Sequence, residues 1–225
     1  MTTGFRVLKR RRTVAAEWVE RFRGLPVANI SDCMHRMSAG PAALRPMHAG
    51  APLAGVALTV RTRPGDNLMV HKALNMAGPG DVIVVDAGGD TTNAIIGEIM
   101  ASIAVKKGAA GFVINGAIRD AGAIRAADFP IFATGVTHRG PYKDGPGEIN
   151  VPISLGGMLI EPGDLVLGDE DGVLAIPFDD VARLHAATLK KQEAEAEQMA
   201  AIAAGTNDRS WVDAALKRLG CTIEE

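Results

Sequence analysis

Arg119 and Asp120 are neighbouring residues of opposite charge that follow a short apolar segment, residues 111–115. Taken alone, an Arg-Asp pair is usually a solvated surface ion pair, and that alternative stays open here. Its place in the chain favours a functional role, because loops at the carboxyl ends of parallel strands are where α/β sheets bind their ligands. We therefore interpret Arg119 and Asp120 as part of a ligand site.

A second charged and glycine-rich region precedes the pair. Gly88 and Gly89 follow the apolar segment Asp81–Asp86, and the helix predicted over residues 95–107 starts near Gly97. Backbone N–H groups at a helix start can face an anion, although on this local signal alone turn geometry is the favoured explanation of the two glycines. Glu98 in the first helical turn also offsets the helix dipole. Its reach towards the Arg119 loop makes it a candidate for the same crevice.

Several other kinds of site are excluded by the residue pattern. The glycines match neither Gly-x-Gly-x-x-Gly nor a phosphate loop, so nucleotide binding has no support. The five histidines lack metal-ligand spacing, which argues against zinc. Cys33 and Cys221 are isolated, so no disulfide framework is predicted and a reducing, cytoplasmic setting fits best. A formal net charge of −2 gives no field for nucleic acid, and no apolar run is long enough to span a membrane.

The strands and helices predicted around these residues indicate an α/β fold. The apolar segments at residues 81–86 and 111–115 flank the predicted helix over residues 95–107, and this strand, helix, strand order implies a parallel crossover. Residues 116–120 read as the loop after the second strand, and another strand is expected from residue 130. An amphipathic helix is predicted over residues 14–23.

The later half of the chain has a different character. Short strands at residues 151–155, 164–167 and 173–176 are separated by Gly, Pro and Asp turns, which suggests a second sheet. A long helix is predicted over residues 179–204 and a shorter one over residues 211–219. The tripeptide Pro-Gly-Asp occurs three times, from Pro64, Pro79 and Pro162, without flanking similarity, so we interpret it as turn chemistry.

Length and composition fit one soluble domain. The chain has 225 residues, of which 47% are hydrophobic and 22% charged, as is usual for a folded globular protein. We predict a single domain over residues 1–225, with an N-terminal arm and helix in residues 1–30 and C-terminal helices in residues 179–225.

Together these features resemble a known family, the class II pyruvate aldolases that act on 4-hydroxy-4-methyl-2-oxoglutarate and 4-carboxy-4-hydroxy-2-oxoadipate and decarboxylate oxaloacetate. Twenty residues separate Glu98 from Arg119, as in the family's pattern of an acid, twenty residues and Arg-Asp. The other matching segments cover most of the chain: Ser31-Asp32, Pro64-Gly65-Asp66-Asn67, Pro79-Gly80-Asp81, Gly97-Glu98, Asn115-Gly116-Ala117-Ile118-Arg119-Asp120, Phe129-Pro130, Arg139-Gly140-Pro141, Pro162-Gly163-Asp164 and Asp169-Glu170-Asp171-Gly172-Val173.

The resemblance implies a fold, an assembly and a set of roles. The fold is a swivelling β/β/α domain, and the assembly is a homotrimer or homohexamer with active sites between subunits. Asp120 would hold Mg²⁺ or Mn²⁺ largely through water, and Arg119 would stabilise a pyruvate enolate. The substrate, a small 2-oxo acid, would also contact Gly97 and the backbone N–H groups of Ile99 and Met100.

The resemblance further implies that Glu98 orients a water that carries protons to the enolate. An acid from the long helix of the adjacent subunit also contributes; among Glu193, Glu195 and Glu197 we favour Glu195, although a solvated helix face explains all three. The alternative function is that of the related regulators of ribonuclease activity, which bind a nuclease and lack the complete acid and Arg-Asp pattern. The intact pattern favours an enzyme.

Overall fold

The computed structural model describes residues 2–224. Its strands are β1 (Phe5–Val7), β2 (Arg45–Pro46), β3 (Leu53–Thr62), β4 (Asp81–Asp86), β5 (Ala94–Ile96), β6 (Gly111–Ile118), β7 (Ile131–Val136), β8 (Gly147–Ile149), β9 (Ile153–Leu155), β10 (Met158–Ile160), β11 (Leu165–Asp169) and β12 (Gly172–Ile176). Its helices are α1 (Ala16–Phe22), α2 (Val27–Cys33), α3 (Leu68–Met76), α4 (Glu98–Lys106), α5 (Ala121–Ala126), α6 (Val181–Ala203) and α7 (Ser210–Arg218), with a 3₁₀ turn at Phe178–Asp180.

Four parallel strands, in the order β3-β4-β6-β7, form the centre of a ten-stranded mixed sheet. Their apolar sequences are continuous because both faces of the sheet are covered. In β4, Val82 and Val84 pack into one hydrophobic cluster, whereas Ile83 and Val85 pack into the other. The predicted strand over Asp81–Asp86 and the parallel crossover to β6 are confirmed.

The boundaries near the predicted site differ from the expected ones. Ile95 and Ile96 belong to strand β5, which pairs with β6, so the helix predicted from residue 95 begins only at Glu98. The reason is that Gly97 is extended, with φ −147° and ψ −168°. Strand β6 likewise continues to Ile118, where a loop over residues 116–120 was expected. Both differences bring regular structure directly up to the candidate residues.

The prediction of a separate second sheet after Gly140 is mostly wrong. Strand β3 is ten residues long, and its edge opposite β4 pairs with β11 at one end and with β8 at the other. Strands β8, β11 and β12 therefore belong to the main sheet. Among the described residues 2–224, only β9 and β10 form a separate two-stranded sheet.

The α/β class, the N-terminal helical segment and the long C-terminal helix are confirmed. Internal contacts define one compact unit that ends at Thr188 and a second that begins at Leu189. Helix α6 starts in the first unit and continues into the second, which also contains α7. Within residues 2–224, no helix is both long enough and apolar enough to cross a membrane.

Candidate active site

A cleft of about 300 Å³ opens where β5 and β6 end, and five of the predicted site residues line it. Arg119, Asp120, Gly97, Ile99 and Met100 all line this cleft. Two larger grooves, of about 560 and 580 Å³, lie elsewhere on the first unit. The smaller cleft is the better candidate because it lies at the carboxyl ends of parallel strands and gathers charged side chains with a helix start.

Close contact between two chain segments forms the base of the cleft. The backbone N–H of Arg119 donates to the Ile96 carbonyl at 3.0 Å, which joins the end of β6 to β5. A Cβ atom at residue 97 would overlap Oδ2 of Asp120 and would lie 3.0 Å from Cγ of Arg119. Glycine at position 97 is therefore needed for the two charged side chains to lie against the start of α4.

Asp120 adopts a left-handed backbone conformation, with φ 59° and ψ 35°, immediately before α5. Asp tolerates this region better than most residues, but the conformation still costs about 1 kcal/mol. Its carboxylate forms no capping hydrogen bond to α5. Instead, Oδ2 accepts the backbone N–H of Glu98 at 3.0 Å and lies 3.8 Å from Nε of Arg119. The unusual backbone thus turns this carboxylate towards α4 and the cleft.

The start of α4 supplies backbone donors beside these charges. In a helix, the N–H groups of the first three residues have no carbonyl partner within the helix. Here Asp120 accepts the N–H of Glu98, while the N–H of Ala101 donates to the Gly97 carbonyl at 3.1 Å. The N–H groups of Ile99 and Met100 remain at the cleft wall. Together with Arg119 they suit a carboxylate ligand.

A second wall of the cleft, formed by Asn67, His71 and Lys143, was not predicted from the sequence. Asn67 is 2% exposed, and its Nδ2 donates to the Ile95 carbonyl at 2.9 Å. Its buried Oδ1 has no hydrogen-bond partner among residues 2–224. An unpartnered buried acceptor in a cleft is a place where a ligand donor or a water can bind. The available signal was the spacing of Asn67 and His71, which places them one helical turn apart.

His71 has a pKa below its ordinary value. The main cause is burial, which disfavours the charged imidazolium, and the second is the nearby positive charge of Lys143. His71 is therefore predominantly neutral at pH 7. The cations available to an anion in the cleft are then Arg119 and Lys143.

Two predicted site residues, Glu98 and Glu195, do not line the cleft. Glu98 is exposed and lines the neighbouring groove between α4 and α5, with Ala101 and Ala123. Its backbone N–H binds the cleft residue Asp120, but Glu98 itself does not line the cleft. Glu195 lies in the second unit, where it pairs with Lys191 at 2.8 Å. Its predicted role concerns a neighbouring copy of the chain and stays a prediction.

The acidic side chains of the described residues suit a metal ion that is held by few protein ligands. Within the part of the chain that is described, no group of three or more His, Cys, Asp or Glu side chains is arranged to hold a metal ion. Mg²⁺ and similar hard cations keep several waters and need only one or two protein carboxylates. The carboxylate of Asp120 retains acceptor capacity beyond its one N–H partner. The donor set thus fits Mg²⁺ or Mn²⁺ held by Asp120, water and ligand oxygens.

Comparisons with known proteins identify relatives of the chain. Residues 27–175 match the model of the RraA-like family, described as aldolase/RraA. A protein of Halalkalibacterium halodurans, provisionally named a 4-hydroxy-4-methyl-2-oxoglutarate aldolase, is 44% identical over 176 residues, which cover 78% of this chain and 84% of that protein. A protein of Thermus thermophilus named 4-hydroxy-4-methyl-2-oxoglutarate aldolase is 36% identical over 149 residues, or 66% of this chain and 90% of that one.

One similar solved structure has a different description. It is the RNA-processing inhibitor RraA from Thermus thermophilus, which is 35% identical with a TM-score of 0.63. The match covers 68% of this chain and 92% of that one. The fold is therefore shared by proteins described as enzymes and by proteins described as inhibitors.

Proposed function

Because the chain belongs to the RraA-like family, we propose that it is a metal-dependent aldolase that cleaves 4-hydroxy-2-oxo acids to pyruvate and a second oxo acid. Decarboxylation of oxaloacetate to pyruvate would be a second reaction at the same place. The observation that carries this proposal is the convergence of Arg119, Asp120 and the start of α4 on one cleft.

Binding would orient the substrate by its 2-oxo acid end. The backbone N–H groups of Ile99 and Met100 would hold the carboxylate, with Gly97 leaving room for it beside Arg119. The planar guanidinium of Arg119 can address two oxygens at once, which a lysine ammonium cannot do as well. These contacts would place the 2-oxo oxygen next to the guanidinium.

Cleavage breaks the C3–C4 bond, and its electron pair moves towards C3 and the 2-oxo group. The C4 hydroxyl gives its proton to a water in the cleft and becomes the carbonyl of the second product. Arg119 would stabilise the negative charge that develops on the pyruvate enolate oxygen. A divalent cation held by Asp120, when bound, would supply further electrostatic stabilisation of that oxygen.

The enolate must then gain a proton at C3. Glu98 would orient a water for this transfer, as the acid and Arg-Asp pattern implies. Its carboxylate lies in the groove beside the cleft, so it would act through water and not by direct contact. The role of Glu98 would therefore be to position a proton carrier.

We further propose a homotrimer or homohexamer. Leu189, Met199 and Ile202 of α6 are exposed, and burying them in an assembly would be favourable. A neighbouring copy of the chain would cover it and would bring Glu195 to an adjacent cleft. The assembly is thus part of the proposed active site.

The alternative function is regulation of a ribonuclease without catalysis. The observation in its favour is the similarity to the RNA-processing inhibitor RraA. An inhibitor needs no reactive cleft, whereas this chain combines Arg119, Asp120 and unpaired helix N–H groups in one. We therefore favour the enzyme.

The test is pyruvate release by the purified protein from 4-hydroxy-4-methyl-2-oxoglutarate and from oxaloacetate. We expect release with Mg²⁺ or Mn²⁺, loss of activity in chelator and recovery when the ion is added back. Full activity in chelator would contradict the metal-dependent mechanism. Absence of pyruvate from both substrates with both ions would favour the regulator.

A further inference from the structure

The three Pro-Gly-Asp turns all end in a buried aspartate, but they serve different parts of the molecule. Asp81 accepts the backbone N–H of Gly78 at 3.0 Å, within its own turn, and the Arg10 guanidinium at 2.5 Å. Asp164 accepts N–H groups from Glu161 at 2.8 Å and Phe178 at 2.9 Å. None of these partners lines the candidate cleft. In these two cases the aspartate stabilises its turn and binds residues away from the cleft.

Asp66 differs from both, because its carboxylate joins two segments that each contribute residues to the cleft. It is fully buried, and Oδ1 accepts the N–H of Leu68 at 2.9 Å, at the start of α3. Oδ2 accepts the N–H groups of Asp144 at 2.7 Å and Gly145 at 2.9 Å, and Nη2 of Arg63 lies 3.1 Å away. A single carboxylate thus connects α3 to the loop between β7 and β8, residues 137–146.

Backbone hydrogen bonds continue this connection. The N–H of Asn67 donates to the Tyr142 carbonyl at 3.0 Å, and the N–H of Tyr142 donates to the Gly65 carbonyl at 2.8 Å. The segments on both sides contribute to the cleft: α3 and its start provide Asn67 and His71, and the β7–β8 loop provides Lys143. Asp66 therefore holds together the segments that supply Asn67, His71 and Lys143 to the cleft.

We propose that Asp66 is a positioning residue that sets this second wall, and that the wall recognises the part of the substrate beyond its 2-oxo acid end. This inference rests on the proposed aldolase function. Pyruvate is small enough to be held by Arg119, Asp120 and the start of α4. A 4-hydroxy-2-oxo acid extends further, with a hydroxyl and a second carboxylate. The neutral His71, the Lys143 ammonium and the unpartnered Oδ1 of Asn67 offer partners for those groups.

A carboxylate is needed at position 66 because all of its hydrogen-bond partners are donors. In either orientation, an asparagine side chain would direct its NH₂ group at a backbone N–H, at Leu68 on one side or at Asp144 and Gly145 on the other. Unsatisfied buried donors would loosen the loop. Asp66→Asn therefore changes the hydrogen bonding at nearly constant size.

The test compares Asp66→Asn with Asp164→Asn. Asp164 is a matched control, because it ends the same tripeptide, is 3% exposed and accepts backbone N–H groups at both oxygens. We expect Asp66→Asn to raise KM for 4-hydroxy-4-methyl-2-oxoglutarate about ten- to hundredfold, as misplaced binding groups do. The rate at which this variant exchanges the pyruvate methyl protons with D₂O should change less than about threefold. Asp164→Asn should leave both reactions near the wild-type values.

A double-mutant cycle with Lys143→Met separates positioning from general destabilisation. If Asp66 acts through Lys143, the double variant Asp66→Asn/Lys143→Met should raise KM little beyond the larger single effect. Should Asp66→Asn fail to fold, Asp144→Pro removes one loop donor and leaves the carboxylate in place. It should produce the same selective rise in KM.

An NMR titration of His71 tests the inference without an activity assay. Lys143 lowers the pKa of His71, so releasing the loop by Asp66→Asn should raise that pKa towards its ordinary value, and Asp164→Asn should not. An unchanged His71 pKa, or equal losses for pyruvate exchange and aldol cleavage, would overturn the inference. Absence of pyruvate from the wild-type protein would contradict the proposed function, and the His71 titration would still decide whether Asp66 fixes the loop.

Discussion

The Asp120 carboxylate accepts the backbone N–H of Glu98 at 3.0 Å, so the turn after β6 is tied to the first residue of α4. This hydrogen bond crosses between two strand-to-helix connections that are 22 residues apart in sequence. It fixes a negative charge beside a helix start that otherwise attracts anions. The contact explains why the spacing between Glu98 and Arg119-Asp120 matters, because it fixes the position of residue 98 relative to Asp120.

We expect Gly97→Ala to abolish most of the activity. The added methyl group would overlap Oδ2 of Asp120 and crowd Arg119, so both side chains must move. A displacement of about 1 Å can reduce a rate by about a hundredfold. The matched control is Gly122→Ala in α5, where the methyl group would meet no atom within 4 Å. Both variants are compared by steady-state kinetics and thermal unfolding. An active Gly97→Ala enzyme would show that the close approach of residue 97 to Asp120 has no functional role.

Asp120→Asn should weaken binding of Mn²⁺ at least about tenfold, since the amide keeps the shape but removes the anionic ligand. Calorimetry and Mn²⁺ spectroscopy measure this without any substrate. Asp86→Asn is a suitable control, because Asp86 lies at the end of a parallel strand but outside the residues that line the cleft. Equal Mn²⁺ affinity of Asp120→Asn and the parent protein would place the ion elsewhere.

The first unit could be predicted from the sequence where the signal is local. The buried strand Asp81–Asp86 and the loop position of Arg119-Asp120 follow from short apolar runs and from what comes after them. The start near Gly97 agrees with the structure, but the helical pattern was extended back to residue 95 because Ile95 and Ile96 suit a strand as well as a helix. Pairing with β6 decides between the two, and pairing is a tertiary effect.

The second wall of the cleft could not be predicted in this way. Asn67 and Lys143 are 76 residues apart, and they share the cleft because the Asp66 carboxylate binds the N–H groups of Asp144 and Gly145. No local pattern specifies such a contact. The resemblance pointed to the segment Pro64-Gly65-Asp66-Asn67, but its chemistry became evident only from the hydrogen bonds.

The titration of His71 should depend on Lys143. Lys143→Met removes the smaller of the two causes that lower the pKa of His71, so the pKa should rise but stay below its ordinary value, since burial remains. In the parent, folding makes His71 harder to protonate. Stability should therefore decrease as pH falls through the window below about 6.5 and be unaffected by this group above it. NMR titration, with His71→Gln for assignment, checks the direction; a fall in the pKa on removing Lys143 would contradict it.

A shared active site predicts complementation between two inactive variants. Arg119→Lys and Glu195→Gln should each lose activity alone. In randomly mixed oligomers, about a quarter of the sites would pair an intact Arg119 with an intact Glu195 from the neighbour, and activity should return in that proportion. The measurement is the activity of co-expressed, purified mixtures, with light scattering to give the oligomeric state. A monomeric and fully active parent protein would contradict both the assembly and the shared site.

The most direct test of the account is the turnover of oxaloacetate by Arg119→Lys. Lysine keeps the charge but not the planar guanidinium, and an interaction made in the transition state affects mainly kcat. With fold and metal content matched to the parent, we predict a loss in kcat of about 10²- to 10³-fold. A variant that releases pyruvate at the parental rate would show that Arg119 and Asp120 form a structural ion pair, and regulation of a ribonuclease would become the better explanation.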